Sequence, residues 1–282
     1  MEKQTKLNKP NFFILGAAKS GTSTLYYYLM QHPQIFLSKE KEPTFFCEDF
    51  QLIKNTVEYF KLFDQVEKET IIGEASHAYF TDPESPRIIH ALFPKAKFLL
   101  ILRNPVERAH SLFHFMRRVG LEETKTFEKA IHLEEERYHS VKFRKENKQY
   151  PYNYFYFRSG LFGEQLNRYF SLFEKSQFHI ITMNELQMDF QGVMNKIFNF
   201  LKVDIIPSQS GKIINQGYAI KYVNLQKAMY KTQKYSKSIS QQIMGFNKFE
   251  IPEIQEDTYN TLIKRYHKDQ ELLEELCGIR FL

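Results

Sequence analysis

Short apolar runs alternate along this chain with segments that have the spacing of amphipathic helices. The runs Phe12–Leu15 and Lys97–Leu102 are the clearest strands, and Thr70–Gly73 and Phe178–Met183 are two more. Helices are predicted over 22–31, from Asn104-Pro105 onward, and over 161–173, 190–201 and 255–276. Strands that alternate with helices are typical of an α/β fold with a mainly parallel central sheet.

No linker interrupts this pattern, so a single domain is expected over residues 1–282. Charged residues, Gly, Pro and Asn gather at about 140–157 and 205–220, which predicts an irregular insertion at the first of these stretches. The 43% of hydrophobic and 26% of charged residues exclude a disordered chain, a collagenous chain and a disulfide scaffold.

The composition predicts a cytoplasmic protein with no transmembrane segment. The longest aliphatic strip, Phe98–Leu102, is far shorter than the roughly 20 residues of a membrane-spanning helix. The N-terminus shows no secretory cleavage site, and only Cys47 and Cys277 are present. A formal net charge of +6 suits anionic ligands in general and does not by itself indicate nucleic acid.

The strongest local motif is the small-residue loop that joins the first strand to the first helix. It contains Lys19, Ser20, Gly21, Thr22, Ser23 and Thr24. Backbone amides, hydroxyls, a lysine and a helix N-terminus can together hold a phosphate or a sulfate. An ordinary capped turn is the alternative. The lysine precedes the second glycine, so the loop is not the standard nucleoside triphosphate motif.

A cation follows the strand Lys97–Leu102, where nucleoside triphosphatases usually place a magnesium-binding aspartate. The guanidinium of Arg103 can bind a phosphate with two parallel hydrogen bonds, and Ser111 lies about two helical turns further on. These residues predict a second anion site at the carboxyl edge of the sheet. A surface arginine at a strand end is the alternative.

Together, Lys19-Ser-Gly-Thr22 and the segment Arg103 to Ser111 resemble the two nucleotide-binding elements of sulfotransferases that use 3′-phosphoadenylyl sulfate. The carbohydrate branch is the most similar, with its heparan sulfate enzymes and bacterial relatives, and Gly160–Phe170 also resembles a helix of that family. The resemblance covers about residues 11–203. It implies a three-layer P-loop-like fold, 5′-phosphosulfate binding at the first element, and 3′-phosphate binding by Arg103 and Ser111.

The resemblance also implies a catalytic glutamate just before a segment that ends in Phe-Phe, and Glu42 of Lys41-Glu-Pro-Thr-Phe-Phe46 matches that place. Glu42 would take a proton from an acceptor hydroxyl or amine, in direct transfer without metal. Lys19 would stabilise the leaving group, adenosine 3′,5′-bisphosphate. From the residues alone, a charged surface turn ended by Pro43 fits as well. His77 is a further catalytic candidate at a position where the family commonly has proline, with a simple turn residue as the alternative.

The acceptor is expected to be a carbohydrate, with a lipid-linked sugar and a small alcohol or phenol as the alternatives. Six aromatic residues within 150–157 follow four cations, which suits a glycan or, equally, a hydrophobic anchor. Lys227, Lys231, Lys234 and Lys237 are spaced along one side of a helix and suit a solvated face or an acidic polymer. The Lys-Gly-Arg signature of a late cofactor loop is missing near Ile214, where Lys212 is a possible replacement.

Two other classes of function remain open from the sequence. An ATP-dependent phosphoryl transferase of similar fold would need magnesium, and Arg103 argues against it. A non-catalytic protein that binds an anionic polymer would use the basic stripe. No nucleic-acid-reading motif and no zinc-ligand spacing are present, so we expect neither nucleic acid nor a metal site. The oligomeric state is not predicted.

Overall fold

The computed structural model describes residues 7–147, 149–207, 217–232 and 245–282. Internal contacts divide the chain into two compact units. The first contains the N-terminal part up to Arg103, then Phe162–Asn215 and Leu272–Arg280, and the second contains Asn104–Leu161, Gln216–Glu271 and Phe281–Leu282.

The strands are named in chain order. They are Phe12–Gly16 (β1), Ile35–Leu37 (β2), Ile71–Ala75 (β3), Lys97–Leu102 (β4), Phe178–Thr182 (β5), Ala219–Ile220 (β6) and Lys248–Phe249 (β7). The first unit contains a five-stranded sheet in the order β2-β3-β1-β4-β5, and every pairing within it is parallel. The sheet therefore confirms the predicted α/β class.

The helices are also named in chain order. They are Thr22–Leu29 (α1), Thr56–Lys61 (α2), Ala78–Thr81 (α3), Ser85–Leu92 (α4), Pro105–Arg118 (α5), Phe127–His132 (α6), Glu134–His139 (α7), Val141–Glu146 (α8), Phe162–Phe170 (α9), Met183–Met188 (α10), Phe190–Leu201 (α11), Val223–Thr232 (α12) and Glu256–Cys277 (α13). None of the helices within the described ranges is long and apolar enough to cross a membrane.

The two faces of the sheet are packed with different kinds of side chain. Phe12 and Ile14 of β1 point into a mainly aliphatic core with residues of α1, α10 and α11. Phe13, on the opposite face, contacts the rings of Phe46, Phe93 and Phe98. This alternation follows from the two-residue period of a strand whose both faces are covered. Helical segments thus pack on both faces of the sheet.

The second unit has a core of its own, and it includes the aromatic segment near residue 150. Tyr154, Phe155 and Tyr156 are buried beside residues of α5 and α13. The segment is also more regular than predicted, because it contains α8 and a 3₁₀ helix at Pro151–Tyr154. Aromatic rings that fill a core cannot stack on a sugar, so these three rings serve as a hydrophobic anchor.

The sequence identified the long elements and missed several short ones. β4 and α11 have the predicted bounds, whereas β2, α2, α3 and α4 were not predicted. β2 has three residues, too few for its apolar pattern to differ from that of a loop. The predicted strand Lys97–Leu102 is therefore the fourth strand of the chain.

Candidate active site

The predicted site residues of the first unit lie at the carboxyl ends of neighbouring strands. β1 pairs with β3 on one side and with β4 on the other. The loop with Lys19 follows β1, His77 follows β3, and Arg103 follows β4. In a parallel sheet these ends lie on one edge, which is where ligands of open α/β sheets usually bind.

The loop after β1 is anchored to the sheet and leads directly into α1. The amide of Ala17 donates to the carbonyl of Ile101 in β4 at 2.7 Å. Gly21 occupies the N-cap of α1 with φ of 110°, a left-handed conformation that favours glycine. Because glycine has no side chain, α1 has no side-chain cap. The first amides of a helix lack intrahelical partners and attract an anion.

Ser20 carries a buried hydroxyl in this loop. Its side chain is fully buried, and its Oγ has no hydrogen-bond partner among the residues that the structure describes. A buried hydroxyl without a partner is uncommon and costs stability. The loop thus fits an anionic group, to which the Ser20 hydroxyl would donate.

Glu42 lies beside His77, so two residues that were predicted separately are in contact. The Oε2 atom of Glu42 is 2.8 Å from Nδ1 of His77 and accepts a second hydrogen bond from the His77 backbone amide, also at 2.8 Å. The backbone amide of Glu42 donates to the carbonyl of Ala75 at the end of β3. The main chain and the side chain of Glu42 are therefore both fixed against the β3–α3 connection.

The surroundings of Glu42 favour its ionised form. Burial raises the pKa of the carboxyl, but the charge and hydrogen bonds of His77 and the charge of Lys41 outweigh this effect, and the pKa is lowered. The side chain keeps 27% of its surface exposed. A carboxylate that is ionised, oriented and accessible can accept a proton from a substrate.

Lys41 is a site residue that sequence reasoning missed. Its Nζ donates to Oγ of Ser23 at 2.7 Å and lies 3.8 Å from Oε1 of Glu42. Burial lowers the pKa of this ammonium, while the neighbouring Glu42 carboxylate raises it. Lys41 thus links the loop after β1 to Glu42. The run Lys39-Glu-Lys-Glu42 contained the signal, but the run does not reveal which of its charges point inward.

The remaining predicted residues are placed separately. Arg103 is half-buried directly after β4, and Ser111 is half-buried on α5 of the second unit. Lys227 pairs with Glu123 in the second unit, as a solvated face would. The described residues do not include Lys212, Ile214, Lys234 and Lys237, nor the side chain of Lys231.

Within the described ranges, His, Cys, Asp and Glu side chains form no group of three that could hold a metal ion.

The profile of one protein family, described as "Sulfotransferase domain", matches residues 9–273. The chain therefore belongs to the sulfotransferase family, which confirms the resemblance drawn from Lys19–Thr22 and Arg103–Ser111. The match reaches beyond the 11–203 stretch that the motifs suggested, and it includes α13 as far as residue 273.

Curated relatives and a solved structure agree with this family. A membrane-associated sulfotransferase, kil1 of Dictyostelium discoideum, is 37% identical over 107 residues, which are 38% of this chain and 23% of that protein. Human heparan sulfate glucosamine 3-O-sulfotransferase 6 is 27% identical over 192 residues, 68% of this chain and 52% of that protein. The chain thus spans 20% to 52% of the length of the first curated relatives.

A crystal structure of a sulfotransferase from Alicyclobacillus acidocaldarius superimposes with a TM-score of 0.75 at 28% sequence identity. The match covers 98% of each chain. It therefore extends over both compact units of the present protein.

Proposed function

We propose that this protein transfers a sulfuryl group from 3′-phosphoadenylyl sulfate to a hydroxyl or amine of a carbohydrate, without metal. One observation carries the proposal. The Lys41 ammonium touches both Ser23 of the anion-binding loop and the Glu42 carboxylate, so a proton acceptor lies next to a place for the donor's phosphosulfate. Family membership supports the reaction class, and the carboxylate supplies the chemistry that transfer to a hydroxyl requires.

In this mechanism Glu42 takes the proton from the acceptor as the acceptor oxygen or nitrogen forms its bond to sulfur. The bond between sulfur and the bridging phosphate oxygen breaks at the same time, and adenosine 3′,5′-bisphosphate leaves. Lys19 neutralises the charge that develops on the bridging oxygen. His77 orients Glu42 through its ring and its backbone amide. The family resemblance assigns the 5′-phosphosulfate to Ser20, Gly21, Thr22, Ser23 and Thr24, and the 3′-phosphate to Arg103 and Ser111.

The proposed acceptor is a carbohydrate. It is supported by curated relatives whose names specify heparan sulfate. The buried aromatic segment near residue 150 offers no help in choosing an acceptor, because its rings are occupied in a core.

The donor site is tested by calorimetric titration with adenosine 3′,5′-bisphosphate in the absence of magnesium. The wild type should bind, and Arg103→Ala should weaken binding by more than about tenfold because a charged, two-bond phosphate contact is lost. Binding of ATP with magnesium, but not of the bisphosphate, would instead favour the phosphoryl-transfer alternative. Absence of binding to either nucleotide would contradict the proposal.

The base is tested by Glu42→Gln, which keeps the size of the side chain and removes its basicity. We expect turnover to fall by about 10²–10⁴-fold, the usual contribution of a positioned base, with bisphosphate affinity retained. Glu40→Gln is the matched control, because Glu40 is exposed two residues away. Near-normal turnover of Glu42→Gln would show that another group accepts the proton.

A further inference from the structure

A second carboxylate, Glu74 of β3, lies fully buried under the segment that carries Glu42. It accepts three hydrogen bonds from hydroxyl groups. Tyr59 and Tyr79 donate to its Oε1 at 2.8 and 3.0 Å, and Ser76 donates to its Oε2 at 2.8 Å. A buried carboxylate is costly unless it is hydrogen-bonded, and these three hydroxyls supply the hydrogen bonds that Glu74 needs.

Two of the three hydroxyls, those of Ser76 and Tyr79, also accept hydrogen bonds from backbone amides of the segment that carries Glu42. The amide of Thr44 donates to Oγ of Ser76 at 3.2 Å, and the amide of Phe45 donates to the hydroxyl oxygen of Tyr79 at 2.9 Å. A hydroxyl oriented toward Glu74 presents its oxygen to these amides. Glu74 therefore determines which way both hydroxyls face.

The segment held in this way has an unfavourable backbone. Glu42 and Thr44, on either side of Pro43, have φ of 63° and 50°, a region that residues other than glycine rarely adopt. Such conformations persist only where the surrounding structure holds them, and they concentrate at functional sites. The hydrogen bonds from Thr44 and Phe45 supply that support directly after Glu42.

We propose that Glu74 is a positioning residue that keeps Glu42 against His77, acting through Ser76 and Tyr79 on the backbone of Thr44 and Phe45. The kinetic part rests on the proposed function, in which Glu42 is the base. The structural part does not, because it concerns hydrogen bonds within the protein without substrate. Glu74 touches neither the donor loop nor the acceptor in this scheme.

The two tyrosines provide a matched pair of variants. Tyr79→Phe removes a hydroxyl that donates to Glu74 and accepts from the Phe45 amide. Tyr59→Phe removes a hydroxyl that also donates to Glu74 but accepts from neither the Thr44 amide nor the Phe45 amide. Both keep a buried ring, and Tyr59 retains its stacking on Phe45. For Glu74→Gln and Tyr79→Phe we expect kcat to fall by about tenfold or more, with the donor KM and bisphosphate affinity within about threefold. Tyr59→Phe should stay within about threefold of the wild type.

Amide hydrogen exchange provides a readout without turnover. The amides of Thr44 and Phe45 should exchange faster in Glu74→Gln, and that of Phe45 faster in Tyr79→Phe, while Tyr59→Phe leaves both unchanged. Unchanged exchange and kcat in Glu74→Gln, or equal losses in both tyrosine variants, would overturn the proposal. If the wild type neither binds bisphosphate nor transfers sulfuryl groups, the proposed function fails, and the exchange data still decide the role of Glu74.

Discussion

At the scale of single residues, the site depends on which charges of Lys39-Glu-Lys-Glu42 face inward. Lys41 and Glu42 contact each other and the site, whereas Lys39 and Glu40 are exposed. The sequence allowed Glu42 to be selected through its family resemblance. It gave no means to select Lys41, because the positive φ of Glu42 redirects the chain and is not encoded in any residue preference.

Lys41 should therefore shift the pH dependence of turnover. Its positive charge lowers the pKa of Glu42, and Glu42 must be ionised to act as a base. Without that charge the pKa of Glu42 rises. As the pH is lowered, Lys41→Met should therefore lose its activity at a higher pH than the wild type does. The measurement is kcat against pH, with Lys39→Met as the control of identical chemistry. If kcat falls at the same acidic pH in Lys41→Met as in the wild type, Lys41 does not influence the pKa of the base.

At the scale of elements, the junction of β1 and α1 was predicted well. The apolar run, the small residues and the helix pattern specify a strand, a tight loop and a helix, and the structure has them within two residues of the expected bounds. What the sequence could not show is which residue caps the helix. Serine and threonine are the usual caps, yet Gly21 takes that position and leaves the Ser20 hydroxyl buried.

The Ser20 hydroxyl in this junction should lower the stability of the ligand-free protein and raise its affinity for adenosine 3′,5′-bisphosphate. Ser20→Ala removes a buried hydroxyl without a described partner, so the free energy of unfolding of the ligand-free protein should rise by up to about 1 kcal/mol. Affinity for adenosine 3′,5′-bisphosphate should fall by about tenfold, because a donor to the anion is lost.

Ser85→Ala is the control for the junction. Ser85 is also fully buried, but its hydroxyl donates to the carbonyl of Phe46. That variant should lose stability and keep its affinity, as measured by urea titration and calorimetry. The same signs in both variants would exclude a ligand-binding role for the Ser20 hydroxyl.

At the scale of the whole molecule, phenylalanine fills the core on one face of the sheet and in the second unit. The sequence could not divide these residues between the two cores, because that division depends on contacts between distant segments. For the same reason, the aromatic run near residue 150 could be assigned to a core or to a glycan surface with equal support. The single domain expected over 1–282 stays a prediction.

The buried Glu74 should leave a signature in the stability of the whole protein. Burial raises its pKa from the ordinary value of 4.5 to about 7. Between these pH values the folded protein keeps a proton that the unfolded chain has released, so the free energy of unfolding falls as the pH rises, and the effect levels off above about 7. The difference between the two pKa values corresponds to about 3 kcal/mol.

Urea titrations of wild type and Glu74→Gln at about pH 5 and pH 8 measure this effect. In Glu74→Gln the free energy of unfolding should not show the decrease between pH 5 and pH 8 that Glu74 causes in the wild type. The contributions of other titrating groups are common to both proteins. Equal pH slopes in the two proteins would show that Glu74 is not the group responsible.

The all-parallel sheet has a practical consequence for anyone who labels or immobilises this protein. Because the strands run in one direction, the connections that enter them lie on the edge opposite to Glu42 and the Lys19 loop. Lys68, just before β3, and Lys95, just before β4, are exposed on such connections. A fluorophore or a surface tether attached at either position would leave the edge with Glu42 and the Lys19 loop open to solvent and to ligands.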